Sequence, residues 1–185
     1  LDVLTPILNP VDRYIHQKVY DYEYKGEYKD NKRHGYGKYI WKDKKSKGQK
    51  YIGNWQEDKM HGNGTMFFGN GDRYVGEFKN DLPHGKGILE EFGLQRYEGG
   101  FANGKLNGKG IMTYADGTIY EGNFKDGVEH GFGTVEYSNG DSFIGEWNQQ
   151  IFKDGTYKYA NGDIYTGEFN NDGRSSGNGK YTYAN

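Results

Sequence analysis

A single period governs this chain. A ring, a glycine two places on and a second ring two places further recur from Tyr24, Tyr51, Tyr74, Tyr97, Tyr120, Phe143 and Tyr165, at spacings of 27, 23, 23, 23, 23 and 22 residues. The glycine never fails, and the second ring is Tyr28, Trp55, Phe78, Phe101, Phe124, Trp147 or Phe169. A fixed interval of this kind marks an array of like units, none of which can bury its apolar face alone.

Ring, glycine and ring at positions 0, 2 and 4 share one face of a strand. Glycine weakens a strand, so its recurrence here predicts that something bulky lies over the backbone, most simply a ring from the neighbouring unit. A second alternating run, such as Gly64, Met66 and Phe68 or Gly110, Met112 and Tyr114, predicts a second strand in each unit. HGxG stands between the two halves. Asn70–Asp72, Ala115–Gly117, Asn139–Asp141 and Asn161–Asp163 supply tight-turn residues after the second. Each unit therefore reads as a β-hairpin. Stacked hairpins give an all-β, elongated, single-layer antiparallel sheet, a solenoid or trough about 65–70 Å long at ~4.8 Å per strand.

Residues 24–185 divide into seven units starting near 24, 51, 74, 97, 120, 143 and 165, with 1–23 as an N-terminal capping segment. Asn9, Pro10 and Asp12 mark a helix start, and Val11, Tyr14, Ile15 and Val19 fall on one helical face. They predict a short helix over 10–18 that covers the first sheet edge. A start at Leu1 and an end at YTYAN read as a piece of a longer protein.

Only 33% of the chain is hydrophobic and 31 residues are glycine, a composition near that of disordered segments. The 18 Tyr, 10 Phe and 3 Trp reverse that expectation, because each ring brings a large apolar area with it. A net charge of −2 gives no long-range field toward nucleic acid or an anionic membrane. There is no cysteine, and no apolar run approaches the length of a membrane span.

The pattern Y-x-G-x-[FW] followed by HGxG, as in YVGEFKNDLPHGKG at Tyr74–Gly87, resembles the MORN repeat family from about Tyr24 to Asn185. The resemblance implies a twisted, grooved antiparallel sheet with aromatics along the groove. It also implies use as a cytoplasmic scaffold or docking module at the cytoskeleton, a cilium or a membrane.

Four units depart from the pattern. Lys42–Lys50, KDKKSKGQK, is inserted in the first. In the third, Glu91 takes a ring position and Leu94 replaces the turn glycine, which predicts a register change or bulge. The sixth has QIFKDG and the seventh RSSGNG in place of HGxG, so their loop geometry is open.

No catalytic or cofactor chemistry is expected. His34, His61, His84 and His130 share one slot about 9–10 Å apart from unit to unit, too far for one zinc ion, so each ring is expected to bond the turn backbone. The GxG pairs lack the strand–glycine–helix setting of a phosphate loop. The acids Glu27, Glu77, Glu146 and Glu168 read as a solvated outer face.

The reading is therefore a non-enzymatic scaffold whose aromatic groove seats an amphipathic helix or extended segment of a protein partner. Trp55, Tyr74, Phe78, Tyr97, Phe101, Tyr120 and Phe124 are its expected lining. Open sheet edges also favour a homodimer. Two alternatives stand beside it: an anionic phospholipid surface met by Lys42, Lys44, Lys45 and Lys47, or a regulatory array of a lipid kinase or lysine methyltransferase.

Overall fold

The computed structural model describes residues 21–184, so the predicted helix over 10–18 lies outside the described residues. The first hairpins are β1 (Tyr22–Lys29) with β2 (Lys32–Trp41), β3 (Lys50–Gln56) with β4 (Lys59–Phe67), and β5 (Arg73–Lys79) with β6 (Leu82–Glu91). Next come β7 (Gln95–Ala102) with β8 (Lys105–Tyr114) and β9 (Ile119–Lys125) with β10 (Val128–Glu136). The last are β11 (Ser142–Asn148) with β12 (Ile151–Lys158) and β13 (Ile164–Phe169) with β14 (Ser175–Thr182). All fourteen form one antiparallel sheet in chain order. It is an open, elongated sheet of repeated hairpins.

One line of glycines crosses every strand. Gly26 pairs with Gly37, Gly37 with Gly53, and the row continues through Gly64, Gly76, Gly87, Gly99, Gly110, Gly122, Gly133, Gly145, Gly155 and Gly167 to Gly179. The reason is steric. A Cβ on Gly99 would sit 2.5 Å from the Tyr97 hydroxyl oxygen, and one on Gly110 would sit 2.4 Å from it. The covering group is thus the unit's own first ring, which folds over its own glycine and that of the paired strand. This corrects the expectation of a ring from the neighbouring unit.

The tyrosine hydroxyl completes the arrangement by donating to the backbone carbonyl three residues on. Tyr51 donates to Asn54, Tyr74 to Glu77, Tyr97 to Gly100 and Tyr120 to Asn123, at 2.8–3.0 Å. A buried phenol thus keeps a partner.

Neighbouring units meet through the second ring. Phe101 stands edge-on to Tyr97 of its own unit at 5.2 Å and to Tyr74 of the preceding one at 4.9 Å. The same alternation runs from Tyr51 and Trp55 through Phe143, Phe169 and Tyr165. These rings, with Met66, Leu106, Met112 and Val135, form one continuous core no more than 8% exposed.

HGxG is a bulge, not a turn. The reversal comes earlier, in two-residue turns with both central residues at positive φ, such as Asn80-Asp81 and Asp126-Gly127. HGxG then lies inside the second strand, where the register slips opposite position 3. The position 3 acids Glu27, Glu77, Glu146 and Glu168 are exposed, as expected, and two of them also hold the bulge: Glu27 accepts the Tyr36 N–H at 2.9 Å and Glu77 the Lys86 N–H at 3.0 Å. The histidine of HGxG does not uniformly bond a turn, since His84 Nδ1 is buried without a hydrogen-bond partner.

In the third unit Glu91 pairs with Gln95 in unbroken register, and no bulge forms there. Gly93, at φ 71°, carries the turn one residue earlier than in its sisters. The sixth unit keeps its two-residue turn at Gln149-Gln150 and shortens the bulge, with Glu146 opposite Asp154 and Trp147 opposite Phe152. That one-residue saving accounts for its 22-residue length. In the seventh, Asn170–Arg174 replaces the tight turn with a wider loop.

Candidate functional site

The sheet has two unlike faces. On the ring face the seven residues expected to line a partner groove are between 1% and 6% exposed. Tyr97, Phe101 and Phe124 line a cavity of about 320 Å³ together with Leu106, Tyr114 and Glu129. Trp55, Tyr74, Phe78 and Tyr120 do not border it.

Burial pushes the Tyr97 phenol up to about 12, and raises Tyr51, Tyr74 and Tyr120 further for the same reason. An unfolded tyrosine titrates near pH ~10. The folded-state values are higher, so this contribution to stability is complete below about pH 10 and is lost as pH climbs toward 12 and beyond. Urea midpoints measured at pH 8, 10 and 11 are expected to hold at first and then fall. A midpoint that rises with pH would contradict the buried-phenol geometry.

On the opposite face lies an open groove of about 1190 Å³ whose floor is the bare glycine row from Gly87 to Gly133. None of the seven rings lines it. With glycine side positions turned toward the rings, the flanking residues face the other way and make the walls. One wall follows successive register partners: Val75, Ile88, Glu98, Ile111, Glu121 and Thr134. The other carries Lys86, Lys109, Asn123 and Phe132. Phe132 is 54% and Ile111 40% exposed, with Ile144 and Ile119 exposed close by in the same sheet. Glu98 is held by Arg96 at 2.7 Å.

The lysine-rich insertion makes hydrogen bonds of its own. Asp43 accepts the Lys45 and Ser46 N–H groups, and Trp41 donates its N–H to the Gln49 carbonyl. Lys44, Lys45 and Lys47 are exposed, while Lys42 pairs with Glu23 at 3.0 Å.

Among the described residues no group of three or more His, Asp or Glu is placed to hold a metal ion, and no helix is long and apolar enough to cross a membrane. With no cysteine in the chain, neither a thiolate nor a metal-based catalytic centre is built from these residues.

Fold and faces define a class: an open solenoid of antiparallel hairpins, each locked to the next by rings over a glycine row. The MORN repeat model matches residues 24–46, 51–73, 74–90, 97–119, 120–142, 155–164 and 165–185, and the chain belongs to the MORN repeat family. The longest gap between the matches, 143–154, starts at Phe143, which replaces tyrosine, and takes in all but the last residue of QIFKDG, which replaces HGxG. A search of curated proteins finds no match. Among solved structures the chain is similar to the SAS-4 (dCPAP) TCP domain of Drosophila melanogaster, solved in complex with a proline-rich motif of Ana2 (dSTIL). The two are 16% identical, with 86% of this chain and 95% of that one covered and a TM-score of 0.41.

Proposed function

We propose that this array is a non-catalytic protein-interaction module that seats a segment of a cytoskeletal or membrane-associated partner. The observation that carries the reading is the glycine-floored groove with exposed Ile111 and Phe132 on its walls. Apolar side chains left in water beside a bare backbone floor can be covered by an extended strand or one face of an amphipathic helix. Lys86 and Lys109 on one wall oppose Glu98 and Glu121 on the other, which would set the direction in which a charged segment lies. The seven rings take part mainly as the rigid support of that floor. Tyr97, Phe101 and Phe124 are the three that also border a cavity.

Affinity capture with the native array, Ile111→Glu and Phe132→Glu, followed by mass spectrometry, tests the groove. Proteins held by the native array are expected to be lost with both variants while their circular dichroism spectra stay native. An unchanged set of captured proteins would remove the groove from consideration. The lipid alternative rests on exposed Lys44, Lys45 and Lys47. Salt-sensitive sedimentation with phosphatidylserine vesicles that survives both groove substitutions would favour that loop instead.

A further inference from the structure

Aligning the units by register isolates one slot directly opposite the second ring. It holds Arg33 across from Tyr28, Met60 across from Trp55, Leu106 across from Phe101 and Glu129 across from Phe124. The slot faces the aromatic core, and an apolar residue suits it. Both ionic exceptions therefore need an explanation.

Arg33 carries its own. Its guanidinium carbon lies 4.5 Å from the Trp55 ring centre and 4.8 Å from that of Tyr39, and Asp58 pairs with it at 3.1 Å. The slot is thus chemically suited to a cation: aromatic faces surround it and a carboxylate can reach it.

Glu129 presents the complementary half. It is 5% exposed and receives a hydrogen bond from the Tyr114 hydroxyl, and no described Lys, Arg or His forms an ion pair with it. A carboxylate withdrawn from water without a counter-charge is costly, more than one phenol bond offsets. Glu129 also lines the cavity of about 320 Å³, beside Phe101 and Phe124. The other charged groups bordering that space are Glu91, bonded to Gln95, and Lys105, which lies 4.0 Å from Asp126. Two carboxylates against one engaged lysine leave the cavity electronegative.

We propose that this cavity is a receptor for a cationic side chain, the lysine or arginine of a partner segment, with Glu129 as counter-ion and the Phe101 and Phe124 rings as walls. The proposal assumes the array is a binding module but places this contact on the ring face, away from the glycine-floored groove.

The test uses single residues as probes: the N-acetyl amides of lysine and arginine, with the N-acetyl amide of norleucine as a neutral control. Titration followed by amide NMR is expected to shift Leu106, Gly127 and Gln150 saturably with the cationic probes, with affinity at least about tenfold weaker for norleucine. Glu129→Gln can still accept the Tyr114 bond and should weaken cation binding by about tenfold. Glu129→Leu copies the residue of the preceding unit, so it is expected to fold and to abolish cation preference. Ile111→Glu should leave these titrations unchanged, which separates failure of this site from failure of the groove. Equal binding of norleucine, undiminished cation binding by both Glu129 variants, or no saturable shift at the cavity would overturn the proposal.

Discussion

Phe101→Ala is expected to lower the stability of the array by about 3–5 kcal/mol, the range for deleting a fully enclosed ring. Phe101 is 6% exposed and stands edge-on to two tyrosines of different units, Tyr97 at 5.2 Å and Tyr74 at 4.9 Å. Its loss removes transfer free energy and also leaves an unfilled space in the interface between the third and fourth hairpins. In a linear array each hairpin is stabilised chiefly by its neighbours, so damage at one interface weakens the coupling of everything on either side. Urea unfolding followed by tryptophan fluorescence is therefore expected to shift to a lower midpoint and to broaden, because Trp55 lies on one side of the break and Trp147 on the other. Phe92→Ala supplies the contrast: that ring is 79% exposed, and its removal is expected to change stability by no more than about 0.5 kcal/mol. A cost below about 1 kcal/mol for Phe101→Ala would show that the rings are not what joins the hairpins.

The pairing of Tyr97 with Phe101 on one face, and the glycine between them, could be read from spacing because strand periodicity alone fixes which side a residue takes. Spacing does not fix how a side chain turns above that face. A ring over Gly99 from the next unit and a ring from Tyr97 itself are equally compatible with the sequence, and it is the structure that distinguishes them, through the close approach of the Tyr97 ring to Gly99 and its hydroxyl bond to Gly100. HGxG was ambiguous for a related reason. Glycine at positive φ serves a turn or a bulge alike, and Gly62 becomes a bulge residue because Glu57-Asp58 has already reversed the chain. The groove was hidden by its own ordinariness: Ile88 and Ile111 occupy alternate positions that usually mean the outward side of an amphipathic strand, while the rings draw attention to the other side. Glu129 was legible in principle. Placing Arg33, Met60, Leu106 and Glu129 in one column exposes a charge where the core calls for carbon, but the column requires the register, and HGxG read as a turn shifts it.

Gly110→Val is expected to cost about 3 kcal/mol for a purely steric reason, at the upper end of the usual range for overfilled cores. Gly110 is not among the residues at positive φ, so any side chain suits its backbone. The obstacle is Tyr97: a Cβ at Gly110 would lie 2.4 Å from its hydroxyl oxygen and 2.5 Å from Cε2 and Cζ. Gly99 and Gly122 on either side have equally little room, so the strand cannot slide to relieve the clash. A double-mutant cycle isolates the cause. Gly110→Ala alone is expected to cost about 2 kcal/mol, and in a Tyr97→Leu background, where the ring no longer lies over the backbone, the further cost of Gly110→Ala should fall by about 1 kcal/mol or more. Gly108→Ala tests the competing explanation of backbone conformation. Gly108 has φ 79° and nothing within 4 Å of an added Cβ, so its cost of about 1 kcal/mol should come from the left-handed backbone and show no coupling to Tyr97. If Gly110→Ala and Tyr97→Leu instead add to within about 0.5 kcal/mol, the glycine row is kept for some reason other than the ring above it.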